Sequence, residues 1–196
     1  MARSVFFAFA RTDGPARCEP APAAWRQHAG AEFALTMPAI DGGPGQRTLR
    51  LRGRLVAAVG DCEVAAVLIG PTAARSAALR LAILAILAAG TPLFGIRTHG
   101  LGDTGGRAAA SGPSPFDYVA MARHRQPPEI RYLEWRRAGW QPARLDEPIT
   151  PPPPPYRRVE TWAKLSSLVP TYDWVAHNGT ANLASWVELA YWRGRG

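Results

Sequence analysis

Residues 72–89, TAARSAALRLAILAILAA, constrain the fold more than any other stretch of the chain. Alanine and leucine dominate the run, with no proline or internal glycine, and predict a helix. Thr72 stands where an N-cap belongs, and Gly90 follows as the C′ residue. The second half of the run is apolar on every side, so other elements must cover it all round. Its continuous apolar part, about a dozen residues, falls short of the ~20 needed to cross a bilayer. The run therefore predicts a buried core helix and no membrane span.

Such a helix needs a sheet to pack on, and strand signals surround it. SVFFAFA (4–10) reads as a strand buried on both faces. EFALTMPAI (32–40) alternates with Phe33, Leu35 and Met37 on one side. RTLRLRGRLVAAV (47–59) sets Leu49, Leu51 and Leu55 against Arg50, Arg52 and Arg54, which predicts a half-buried strand with an arginine-lined outer face. Gly60-Asp61 then turns the chain into CEVAAVLIG (62–70), the second arm of a hairpin, and TPLFGIRTH (91–99) is a further strand. AAWRQHAG supplies one or two helical turns ending at Gly30. The expected class is α+β, a mostly antiparallel sheet with one central buried helix, over residues 1–99.

Beyond residue 99 the composition changes. GLGDTGGRAAASGPSP (100–115) predicts a glycine-rich loop or linker. A basic aromatic hairpin region, 116–147, follows: FDYVAMARHRQPP as a short helix, then EIRYLEWRRAGWQPARL as a hairpin turning near Ala138-Gly139. PITPPPPP (148–155) is a polyproline spacer. Residues 156–196 are expected to be helical, in VETWAKLSSLVP and again in TANLASWVELAYWRGRG. In the latter Leu183, Trp186, Val187, Ala190 and Tyr191 share one face, with Thr180 as N-cap. The whole is a proline-rich, tryptophan-rich extended arm with C-terminal helices.

The net charge of +8 is carried almost wholly by arginine, Lys164 being the single lysine. A GC-rich coding sequence explains much of the arginine, but not the shortage of acids. A basic surface attracts nucleic acid or acidic protein. The two clusters are Arg50, Arg52 and Arg54, and the hairpin with Arg123, Arg125, Arg131, Arg136, Arg137 and Arg144. In the hairpin Tyr132, Trp135 and Trp140 alternate with the cations, a pattern suited to base stacking, to a protein interface, or to a plain surface hairpin with its rings packed inward and its arginines in water.

Catalytic signals are sparse. Cys18 and Cys62 form no CxxC pair, and the histidines at 28, 99, 124 and 177 are scattered, so neither a metal site nor a cofactor is expected. GLGDTGG lacks the GK[ST] of a phosphate-binding loop. His99 with Asp103, or His177 with Asp173, could form a general-base pair beside Ser111 or Ser114, but no spacing fixes their geometry. The expectation is a non-enzymatic structural or adaptor subunit of a larger, virion-like assembly. The alternative is an RNA- or DNA-binding subunit of a nucleoprotein complex. Expected partners are protein subunits, in an oligomer or hetero-complex, and RNA or DNA. The apolar start of MARSVFFAFARTDG is too short for a secretory signal, which places the chain in the cytoplasm or a virion.

Overall fold

The computed structural model describes residues 2–36, 53–124, 129–136, 139–143 and 161–195. The predicted strand up to residue 52, the polyproline spacer at 148–155, and Arg50, Arg52, Arg125, Arg137 and Arg144 lie outside the described residues.

Five strands form the first sheet: β1 (Val5–Ala8), β2 (Ala34–Thr36), β3 (Val64–Ile69), β4 (Leu93–Arg97) and β9 (Thr171–Asp173). Their order is β2-β1-β3-β4-β9, and every neighbouring pair is parallel. This corrects the expectation of a mostly antiparallel sheet with one central helix: the chain is mixed α/β. The physical reason lies at residues 53–60, which are helical (α3) rather than part of an arginine-faced strand. Leu55 and Val59 are both fully buried, one helical turn apart. A helix between β2 and β3 supplies the crossover that a parallel sheet requires, where a hairpin would have reversed the chain. Every residue of β1 and β3 is buried, the mark of a parallel sheet covered on both faces.

One cover consists of α1 (Pro15–Cys18), α2 (Pro20–Ala29) and α5 (Gly179–Arg193). Trp25, Leu183, Trp186 and Val187 pack there on Val5, Phe7, Val64, Ala66 and Leu68. The opposite cover is α3 and α4 (Ala77–Ala88), packed on Phe6, Ala8, Ala65, Val67 and Ile69. Each large apolar side chain buried this way stabilises by about 1.5–3 kcal/mol.

On the far side of α4 lies a second, antiparallel sheet of order β7-β6-β5-β8, from β5 (Val119–His124), β6 (Glu129–Arg136), β7 (Gly139–Pro142) and β8 (Trp162–Lys164). Val119, Met121, Ile130 and Tyr132 face the helix within one continuous core. The Tyr132 hydroxyl donates to the Leu87 carbonyl at 3.1 Å, and Arg80 pairs with Glu134 at 2.9 Å. Helix α4 is thus held between two sheets, which accounts for its being apolar all round. Among the described residues, no helix is long and apolar enough to cross a membrane.

Two segments expected to be helical are extended. Residues 115–118 form a short 3-10 turn whose Phe116 amide donates to the Ser114 hydroxyl at 3.2 Å, and the chain then enters β5. Residues 162–164 are β8, leading into another 3-10 turn. Helix α5 buries the five residues that share a face in the sequence, but its N-cap position is Asn178, in the left-handed region at φ 46°, and not Thr180.

Candidate functional site at the carboxyl edge of the parallel sheet

Because all five strands run the same way, their carboxyl ends meet along one edge. The chain leaving β1 turns into α1 and α2 on one face, whereas the chain leaving β3 turns into α4 on the other. Two connections that diverge in this way mark a switch point, and ligands of doubly wound sheets bind outside such a point.

The β1 side of the switch point is built by Asp13. A 3-10 turn (Arg11–Asp13) ends at Gly14 with φ 79°, which drops the Asp13 side chain onto the end of β3. It is 6% exposed. One carboxylate oxygen accepts the Thr72 amide at 2.7 Å and the Thr72 hydroxyl at 2.9 Å; that hydroxyl also lies 2.6 Å from the Thr12 hydroxyl. The other oxygen is buried with no hydrogen-bond partner among the described residues. Asp13 sits directly on Gly70, where an added Cβ would lie 2.3 Å from its carboxyl carbon. Thr72, predicted as the cap of α4, serves this cluster instead, and Ser76 caps the helix by accepting the Leu79 amide at 3.1 Å. Beneath, burial first and then the Asp13 charge push the Cys18 thiol up to about 12, so it stays protonated at neutral pH.

The second half of the edge lies at the ends of β4 and β9. His99 follows β4, and its Nδ1 stands 3.7 Å from Asp173 Oδ2. That nitrogen is buried and has no hydrogen bond. The side chain is 23% exposed, through atoms other than Nδ1. Asp173 is held firmly: its Oδ1 accepts the amides of Val175 at 3.0 Å and Ala176 at 2.8 Å. His177 accepts the Asp173 amide at Nδ1, 2.9 Å away, and so faces the turn rather than the carboxylate.

The glycine-rich residues after β4 are folded onto this edge. Asp103 Oδ1 accepts the amides of Gly105 at 2.8 Å and Arg107 at 3.0 Å. These two bonds, Arg107 first, hold its carboxyl below the usual carboxylate range. Arg17 of α1 donates to the carbonyls of Leu101 at 3.1 Å and Arg107 at 2.8 Å, tying the β1 connection to the β4 loop. Arg97 donates to the Ser111 hydroxyl at 2.6 Å. His99 therefore meets Asp173, across the sheet, and Asp103 serves its own turn.

The described residues among those first singled out for binding lie on several elements. Arg54 is on α3; Arg123 lies on β5 and Arg131 on β6. Tyr132 points inward and is 4% exposed. Arg136 is spent within its own hairpin, on the Pro142 carbonyl and Glu134. Trp135 and Trp140 pair across β6 and β7 on the outer face, with ring centroids 5.5 Å apart, and Trp162 continues the row at 5.6 Å from Trp140. Asp13, Thr72 and the His99–Asp173 pairing were missed. The available signal was the double-sided burial of 4–10, which points to a parallel sheet and hence to a site at its strand ends.

No family model matches the chain. Over 130 residues it is 28% identical to a protein of Bacillus cereus (strain MSX-D12) named "Putative cyclic ADP-D-ribose synthase ThsB1", covering 65% of this chain and 67% of that one. A relative bearing an enzyme's name conflicts with a non-enzymatic structural or nucleic-acid-binding subunit, and both of those expectations are withdrawn.

Proposed function

We propose that the chain is an enzyme acting on an ADP-ribosyl dinucleotide, of which NAD+ is the simplest, and that it closes the ADP-ribose into a cyclic product. Making a cyclic ADP-ribose requires an ADP-ribose whose terminal sugar carries a leaving group, and the nicotinamide of NAD+ is one. The observation that carries the reading is the switch point at the ends of β1 and β3, in a sheet of order β2-β1-β3-β4-β9. The similarity to the Bacillus cereus protein names the product class. The edge is long enough: three strand spacings separate β1 from β9, about 14 Å at 4.7–4.9 Å each. A dinucleotide lying along it reaches from the Asp13–Thr72 cluster to His99.

The test is incubation of the purified chain with NAD+, followed by chromatography and mass spectrometry. The expected result is release of nicotinamide with a product one water lighter than ADP-ribose. Intact NAD+ after prolonged incubation at micromolar enzyme refutes the reading.

A further inference from the structure

We infer that His99 is the general base of this site and that Asp173 is its positioning residue; the inference rests on the dinucleotide reading above. Three observations converge. His99 Nδ1 is buried, lacks a hydrogen bond and faces Asp173 Oδ2 at 3.7 Å. A carboxylate there favours the tautomer with the proton on Nδ1, which leaves Nε2 unprotonated and able to accept a proton. Nδ1 itself is buried, so the 23% exposure of the side chain belongs to its other atoms.

Both partners are fixed before substrate arrives. The backbone around His99 is held by Thr98, whose amide donates to the Ile69 carbonyl at 3.0 Å, and by the Ala109 amide, which donates to the His99 carbonyl at 2.9 Å. The Asp173 carboxylate uses one oxygen for its turn and leaves the other for the imidazole. The 3.7 Å separation is long for a hydrogen bond, and such contacts shorten when substrate closes a site.

The chemistry that needs a base is attack by a hydroxyl, of water or of the dinucleotide's own sugars, on the anomeric carbon that carries nicotinamide. The oxygen–carbon bond forms as the carbon–nitrogen bond to nicotinamide breaks. The electron pair of the broken bond neutralises the pyridinium nitrogen, and the hydroxyl proton passes to Nε2 of His99. Neither an oxidant nor a reductant is required.

The experiment compares wild type, His99→Ala, Asp173→Asn and His28→Ala with NAD+ as the probe. His28 packs on Trp25 of α2 and serves as the control. Asparagine at 173 can still accept the Val175 and Ala176 amides, so the turn survives, but its amide group cannot accept from Nδ1. His99→Ala is expected to lower kcat by about 10²–10⁴-fold, with KM changed less than about threefold, and added imidazole should restore part of the rate. Asp173→Asn should lower kcat with KM retained and shift the ring-nitrogen NMR signals of His99 away from the Nδ1–H tautomer. His28→Ala should match wild type. An active wild type with an equally active His99→Ala variant overturns the base assignment alone. Unchanged kcat and unchanged ring-nitrogen signals in Asp173→Asn overturn the positioning role. A wild type that consumes no NAD+ overturns the reading of the site, and the base with it.

Discussion

Adding one methyl group at Gly70 tests how the switch point is built. A Cβ at this position would lie 2.3 Å from the carboxyl carbon of Asp13 and 2.5 Å from its unpartnered oxygen. Real side chains do not approach so closely, so either β3 shifts or Asp13 swings away. Shifting packed backbone costs about 1–3 kcal/mol. Swinging Asp13 away breaks its two bonds to Thr72, each contributing roughly 1.5–3 kcal/mol when the acceptor is charged. The protein takes the cheaper route, so Gly70→Ala should destabilise by about 1–3 kcal/mol. For a chain of this size that lowers Tm by roughly 2–12 °C. Gly60→Ala makes the same chemical change where nothing lies within 4 Å, and should be neutral or slightly stabilising. The decisive assay is a double-mutant cycle by urea denaturation. With Asp13→Ala already present, the methyl fits, so the double variant should fall short of the summed losses by about 1–2 kcal/mol. Strict additivity, or a Gly70→Ala midpoint equal to wild type, would refute the contact.

Four further outcomes follow from the same geometry. Tyr132→Phe removes the 3.1 Å bond to the Leu87 carbonyl and should cost about 1 kcal/mol in denaturant melts, leaving the second sheet intact. Cys18 and Cys62 should resist alkylation in the folded state at pH 8, read by mass spectrometry, because burial first, and then a neighbouring carboxylate, pushes each thiol up to about 12. The same shifts set a pH dependence: the unfolded thiols ionise near 8.5 and the folded ones do not, so the unfolded state binds fewer protons above that pH. Stability from this source is complete below pH 8.5 and declines toward pH 12, and Cys18→Ala should flatten that decline. Arg17→Ala frees the carbonyls of Leu101 and Arg107 and should speed amide exchange across residues 101–109 by about tenfold, as for one or two lost bonds.

Local patterns were readable wherever a single face decided the outcome. The face of α5 from Leu183 to Tyr191 and the all-round burial of α4 both stand in the sequence as they stand in the fold. What was not readable was pairing over distance. Leucines and arginines in 47–55 fit a strand by alternation, yet Leu55 and Val59 also fit one face of a helix, and tertiary packing chose the helix. That single choice changed the sheet from antiparallel to parallel, and with it the place to look for a site. His99 was paired with Asp103 because they are neighbours in sequence; its partner in space is Asp173, brought by a strand that pairs with β4. The outward tryptophans were legible as a cluster, but the inward turn of Tyr132 among them was not, since both rows of β6 carry aromatic rings.

The position of β9 has a consequence for biosynthesis. Its neighbour β4 is made early, but the whole antiparallel sheet is translated before β9 emerges to pair with it. Contacts of such long sequence separation close late in folding. While the ribosome is still extending the chain, β1, β3 and β4 can pair, but Asp173, which His99 faces, has yet to be made. The nascent chain therefore lacks the His99–Asp173 pairing until synthesis has passed Asp173.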